Sequence, residues 1–391
     1  MGNIERNVYA NRMENIPFSG IREIFEECNR LEADGQDIVH FEIGRPDFDT
    51  PEPIKAAGKQ AIDDGHVHYT SNYGIGPLRE GIAEKFSEEN GLQYDPDSEI
   101  VVTSGATEAV LITILALVDP GDEVLIPDLH WTYGPAIEAA GASPVTYHLD
   151  PESGFQPDEQ SLREAVSEHT KLLVLNTPHN PTGSVLSPES METVRQVATE
   201  NDLLVLSDEI YEKIIYDGVH RSLASMDGMF ERTITINGFS KAYSMTGWRL
   251  GYLGAPRRLL DPIIRMRQYT STCASSISQH AGVRALEGSL HEPLVSAFEE
   301  RRSVVLDRIE GVSGMSCPEP QGAFYAMPTI PEGQTNSKSF VLSLLREAGV
   351  ATVPGPVFGA TGEGRFRLAY TTSPDRINEA FDRLEAWIEA Q

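Results

Sequence analysis

The sequence predicts an α/β fold, a large doubly wound, mainly parallel sheet domain joined to a smaller α+β domain, and three observations carry that reading. Short apolar runs alternate with amphipathic segments through most of the chain, the pattern left by strands buried on both faces under crossover helices. From about residue 286 that alternation gives way to a long helical stretch and short strand-like runs. The 391 residues also exceed what one hydrophobic core usually organises.

In chain order, a polar N-terminal arm is followed by a helical pattern over 21–31 and an apolar run over 38–43 that ends in Gly44. Strand candidates follow at 100–103, 123–126, 143–148, 172–175, 203–207, 233–236 and 250–254, with amphipathic segments such as 108–118 and 191–200 between them. In such sheets ligands collect at the C-terminal ends of strands and in the loops beyond. The last part reads as a helix over 293–309, strands at 323–327, 351–353 and 365–369, and a closing helix after Pro374. The expected division is 1–45 as arm and part of the small domain, 46–285 as the large domain and 286–391 as the small one.

Composition narrows the function. Hydrophobic residues make up 40% and aromatics 8%, ordinary for a globular protein. No apolar stretch approaches the ~18–20 residues of a membrane span, and the N-terminus has no signal-peptide core. Cys28, Cys273 and Cys317 are odd in number and in no metal-ligand spacing, so a reduced cytoplasmic protein without metal is expected. The net charge of -28 argues against nucleic acid, which needs a basic footprint. Lysines number only seven. An acidic, lysine-poor surface suits a salt-loving source, because charge repulsion keeps it soluble where salt screens strongly; a merely acidic mesophilic protein is the alternative.

Four segments carry chemistry. The loop 237–251, NGFSKAYSMTGWRLG, follows a strand candidate and holds Lys241 and, eight positions on, Arg249. A lysine can form an imine with a carbonyl, and arginine suits a phosphate dianion; read alone, a place for both in surface ion pairs is the better bet. The run 203–211, LLVLSDEIY, delivers Asp208 to a strand end, where a helix N-cap is the plain reading and Glu209 a weaker alternative. The stretch 176–183, NTPHNPTG, is a turn signal around Asn180. The stretch 103–109, TSGATEA, turns a strand into a helix, either a phosphate cradle or an N-cap by Ser104 or Thr107.

Together these segments resemble the class I/II aminotransferase family, over about residues 38–370. The resemblance implies the type I fold of pyridoxal 5'-phosphate enzymes and a homodimer with a shared active site. Lys241 is then the Schiff-base lysine and proton shuttle, and Asp208 the partner of the ring nitrogen. Tyr211 and Asn180 meet the phenolic oxygen, Gly105, Ala106, Thr107 and Arg249 hold the phosphate, and Trp131 stacks on the ring. Tyr69 is implied to reach the phosphate of the partner subunit, with Tyr73 in reserve. Arg367, or the nearby Arg365, clamps the substrate carboxylate beside the Gly44 backbone, and Asn180 borders the substrate too. Gly238 departs from the family, where many relatives have Ser, and His179 is not read as a base. The implied activity is amino transfer from an L-amino acid to a 2-oxo acid, aspartate with 2-oxoglutarate by default. Alanine or aromatic transfer, β-elimination and aminocyclopropane-carboxylate synthesis are alternatives within the enzymes, and a ligand-sensing regulator is one outside them.

Overall fold

The computed structural model describes residues 8–391; the first seven residues of the expected N-terminal arm lie outside the described residues. Among the described residues the seven apolar runs form one sheet: β1 (Ile100–Thr103), β2 (Glu123–Pro127), β3 (Ser143–Tyr147), β4 (Thr170–Asn176), β5 (Leu204–Asp208), β6 (Thr233–Gly238) and β7 (Gly251–Gly254). Their spatial order is β1-β7-β6-β5-β4-β2-β3. β7 pairs antiparallel with both β1 and β6, and the other six strands run the same way. The sheet is therefore mainly parallel, with one reversed strand that an apolar run cannot reveal.

Alternate residues serve opposite faces. Val124 and Ile126 join Val110, Ile137 and Ile263 of helices Ala106–Leu117, Tyr133–Ala140 and Arg257–Gln268. Leu125 faces the other way, with Val194 and Val197 of helix Pro188–Glu200. Toward β1, Val102 meets Leu78, Ile82 and Phe86 of helix Gly76–Asn90. Both faces are covered, as the apolar runs demand.

The remaining residues form a second core. Phe298 and Val305 of helix Glu292–Gly311 pack with Ile377, Phe381 and Leu384 of helix Pro374–Glu389. Ile24, Cys28 and Leu31 of helix Gly20–Ala33 belong to the same cluster, so N-terminal residues and the chain's last helix share one core. The apolar run 38–43 forms a strand only at Val39–His40. Two strand expectations need correction. The run 323–327 is a strand only at Tyr325–Ala326. The run 351–353 splits: Val350–Ala351 pairs with Val39–His40, and Val353–Pro354 pairs with Phe366–Ala369. A two-residue strand leaves too little periodicity to read.

Candidate active site

The C-terminal ends of β1, β4, β5 and β6 open on a cavity of about 370 Å³. Its lining includes Gly44, Ala106, Thr107, Trp131, Asn180, Asp208, Tyr211, Lys241, Arg249 and Arg367. Ten residues expected at the site from separate segments thus share one space.

Lys241 stands just beyond β6. Its Nζ donates to the Gly44 carbonyl at 2.8 Å, and among the described residues no carboxylate pairs with it. Burial, helped by the positive charges of Arg367 and Arg249, lowers its pKa to about 8. A half-buried amine without a counter-ion is the opposite of a surface ion pair.

Asp208 ends β5, and its carboxylate accepts from the Tyr133 hydroxyl at 2.8 Å and from the Ile210 N–H at 3.3 Å. Burial raises its pKa to about 6, against the lowering effect of those two bonds. Glu209 faces away, accepting from Ser207 and Ser222 at 2.8 Å each, which removes it as the alternative. Tyr211 shares a 2.8 Å hydroxyl contact with Tyr325, and burial pushes its pKa well up. Asn180 is set by its own N–H, which donates to Asn176 Oδ1 at 2.9 Å. His179 is spent on Thr182 and on the Leu129 carbonyl, and burial lowers its pKa to about 4; it holds the loop rather than moving protons.

Arg367 is 1% exposed. It donates to Asn180 Oδ1 at 3.2 Å and to the Glu42 carbonyl, its Nε has no partner, and among the described residues it has no ion-paired carboxylate. The Tyr325 and Phe358 rings lie 4.8 and 4.9 Å from its guanidinium carbon. Arg365 instead donates to the Met327 carbonyl and covers Phe155, outside the cavity.

At the opposite end, helix Ala106–Leu117 begins at Gly105 with no side-chain cap, so neither Ser104 nor Thr107 satisfies its first N–H groups, and an anion can. Gly105 has φ 88°, and a Cβ there would stand 2.7 Å from Arg249 Nη2. Arg249 itself donates to the Thr246 carbonyl at 3.0 Å and to the Ser104 carbonyl at 3.4 Å, and its side chain is otherwise exposed. At Gly238 a Cβ would meet Gly251 Cα at 3.0 Å, so a larger residue there would require its neighbours to give by a few tenths of an ångström.

Tyr69 does not line the cavity and is 89% exposed, and Tyr73 packs against the sheet core. Trp131 lines the cavity wall at 43% exposure. Among the residues not foreseen are Tyr133, Tyr325 and Ile21, all lining the cavity, and Arg45 lines it as well. Tyr133, two places after Trp131, carried no local signal, because its role depends on where β5 lies.

Comparison with known proteins accords with this geometry. The model of the family "Aminotransferase class I and II" matches residues 36–384. The chain is 41% identical to aromatic-amino-acid aminotransferase 2 of Thermococcus litoralis and 42% to the aspartate aminotransferase of Pyrococcus abyssi. Each match covers 96% of this chain and 97% of the relative. Among solved structures, an alanine aminotransferase from Pyrococcus furiosus superposes with TM-score 0.93 at 33% identity, over 98% of this chain and all of that one. Aspartate aminotransferase from Thermus thermophilus with maleate gives 0.92 at 35%, over 97% and 100%. With a family match along nearly its whole length and that fold beneath it, the chain belongs to the class I and II aminotransferases, pyridoxal-phosphate-dependent enzymes that transfer amino groups.

Proposed function

We propose that this enzyme transfers the amino group of aspartate to 2-oxoglutarate, with its cofactor held in the cavity around Lys241. One observation carries the reading: Lys241 and Arg367 are two cations in one cavity, and among the described residues neither has an ion-paired carboxylate. Unpaired buried charge is costly, and a phosphate-bearing cofactor with a carboxylate substrate would supply the missing anions.

The residues present fit the cofactor. Lys241 would bond its carbonyl carbon and Asp208 would pair with its ring nitrogen. Tyr211 and Asn180 would bond its phenolic oxygen, and Trp131 would lie against the ring. Gly105, Ala106, Thr107 and Arg249 would take the phosphate, supported by the uncapped helix start and the glycine-only approach to Arg249. Bound there, the cofactor supplies an electron sink for charge developing at the substrate Cα. The chain's own residues do the rest. Arg367 grips the α-carboxylate in a bidentate fork beside the Gly44 backbone and Asn180, orienting the Cα–H bond. Lys241, neutral above about pH 8, takes the Cα proton and gives it back on the other side of the exchange. Asp208 keeps a proton on the nitrogen it faces, aided by the Tyr133 hydroxyl that fixes its carboxylate.

For the side chain, Thr107 brings no charge, while Arg45 lines the rim with no side-chain partner among the described residues. Arg45 supports a distal carboxylate. The apolar walls Ile21, Ile43 and Trp131 favour an aromatic donor as the second reading. With 2-oxoglutarate as acceptor, aspartate should turn over faster than tyrosine or alanine. Arg45→Ala should lower kcat/KM for aspartate about tenfold, the equivalent of ~1.4 kcal/mol, while sparing alanine. A preference for tyrosine that Arg45→Ala leaves intact selects the second reading. We further propose a homodimer in which Tyr69 reaches the phosphate of the partner subunit, a division into two domains near residues 45 and 285, and a salt-rich cytoplasm as the setting.

A further inference from the structure

Among the described residues, two clusters bring three metal-ligating groups within 4.8 Å of one another: Glu209, Glu212 and His220, and Cys28, His40 and Glu42. The first is already neutralised. Lys85 pairs with Glu212, Asn90 donates to the same carboxylate at 2.8 Å, and His220 stands 2.9 Å from Glu209. Nothing there calls for a further cation.

The second cluster differs. Cys28, on helix Gly20–Ala33, and Glu42 are both wholly buried. One Glu42 oxygen lies 2.9 Å from His40 Nδ1, while the other, Oε2, has no hydrogen-bond partner at all. The Cys28 thiol lies within 4.8 Å of the same imidazole and of that carboxylate. On the ring's far side, Nε2 lies 3.1 Å from Glu32 Oε1. A buried carboxylate oxygen without a donor needs an explanation, and an ion is one of the few.

We propose that Cys28, His40 and Glu42 form a site for a divalent transition-metal ion, with zinc the best match, which pins helix Gly20–Ala33 to strand Val39–His40. A thiolate, an imidazole and a carboxylate select a borderline ion such as zinc over magnesium or calcium, which prefer oxygen alone. His40 would ligate through Nδ1, leaving its Nε2–H for Glu32. That is the carboxylate–histidine pairing that fixes tautomer and orientation at metal sites. The unpartnered Glu42 Oε2 gains a cation, and the fourth position is left to water. The Cys28 thiol proton and the proton on His40 Nδ1 pass to solvent as the ion binds. The half-exposed edge of His40 gives the ion a way in.

The position matters for the cavity. The Glu42 backbone carbonyl accepts from Arg367, and two residues on the Gly44 carbonyl accepts from Lys241. Helix Gly20–Ala33 begins beside Ile21, which lines the same cavity. An ion on Cys28, His40 and Glu42 thus ties a wall of the cavity to the backbone that orients Arg367. The sequence hid the site because its ligands come from a helix, a separate strand and the bend just after that strand rather than from one short motif.

The test is to strip the cofactor-loaded enzyme of metal and titrate it with cadmium, a thiolate-seeking stand-in for zinc. An ultraviolet cadmium–thiolate band should saturate at one ion per chain and be displaced by zinc. Zinc should also raise the unfolding midpoint. Cys28→Ser should abolish the band and Glu42→Gln should weaken binding at least tenfold, whereas Cys273→Ser should leave both unchanged. No band, or a band that survives Cys28→Ser, overturns the proposal. Should Cys28→Ser fail to fold, wild-type cadmium affinity in Glu42→Gln overturns it instead.

Discussion

Burial and two neighbouring guanidinium groups act on Lys241 in the same direction. Each disfavours the ammonium, and together they outweigh the attraction of Asp208 and bring the pKa to about 8 rather than 10.5. Only the neutral amine can attack a carbonyl carbon. Because the folded pKa is depressed, that form is present from about pH 8 upward and lost as pH falls below it. Cofactor uptake by the cofactor-free protein should therefore rise through a midpoint near pH 8, followed by near-visible absorbance after mixing. A midpoint near the ordinary lysine value would contradict the assignment, and Lys241→Ala should show no such absorbance and no transfer. Asp208 depends in turn on Tyr133. That hydroxyl bonds a buried carboxylate at 2.8 Å, and a hydrogen bond to a charged group is worth about 1.5–3 kcal/mol. Tyr133→Phe should leave Asp208 easier to protonate, raising its pKa above about 6. Cofactor affinity should fall by roughly 10- to 100-fold, measured by dialysis and activity recovery. An unchanged affinity would show that Tyr133 only packs.

The phosphate end of the cavity depends on how closely two elements approach. β7 brings Gly251 against the turn that starts helix Ala106–Leu117, and a Cβ there would stand 2.7 Å from the Gly105 carbonyl carbon and 2.8 Å from the Ala106 nitrogen. These are backbone atoms of a strand and a helix start, so neither can yield by a rotamer change. Gly251→Ala should cost about 1–3 kcal/mol of stability and weaken the cofactor as well, because the displaced N–H groups are those aimed at the phosphate. Thermal unfolding and cofactor dissociation measured on the same variant check both effects; a stable variant with native affinity would mean that the elements slide apart freely. This scale also sets what could be read in advance. All seven large-sheet strands announced themselves: six are runs of four to seven largely buried residues, and the edge strand Ser143–Tyr147, mostly unburied, still shows as a short β-prone run. The reversal of β7 did not, since a central strand is equally apolar in either direction. Helix Arg257–Gln268 was hidden by Pro262 in its interior and by its arginines, although Leu259, Leu260, Ile263 and Ile264 make its buried face. Lys241, Asp208 and Asn180 were legible because each stands in a short local motif after a strand. Tyr133 and Tyr325 were not, since their contacts with Asp208 and Tyr211 join residues 75 and 114 positions apart.

Across the whole molecule, the charge balance sets how the enzyme responds to salt. Pairing every lysine and arginine with one acid would still leave a net charge of -28. The helix Gly76–Asn90 shows the local form of this excess: Glu80, Glu84 and Glu88 follow one another at four-residue spacing, and like charges so placed are destabilising by about 0.2–0.5 kcal/mol per pair. Salt acts on two opposing terms. It weakens the surface ion pairs, such as Arg163 with Glu159 and Glu200, but exposed pairs contribute only about 0–1 kcal/mol each. It also screens the unpaired carboxylates over the whole surface, as the Debye length falls from about 10 Å at 0.1 M to about 3 Å at 1 M. The buried pair of Lys85 with Glu212 is the least exposed to that screening. Relief of repulsion should therefore win, and Tm should climb by several degrees between dilute buffer and molar potassium chloride. The gain should come mainly in the range where the Debye length drops below the spacing of neighbouring glutamates, and it should flatten beyond. A matched series in sucrose, which strengthens burial without screening charge, separates the two causes. A Tm that falls in potassium chloride, or that rises equally in sucrose, would show that this acidic surface is not under electrostatic strain.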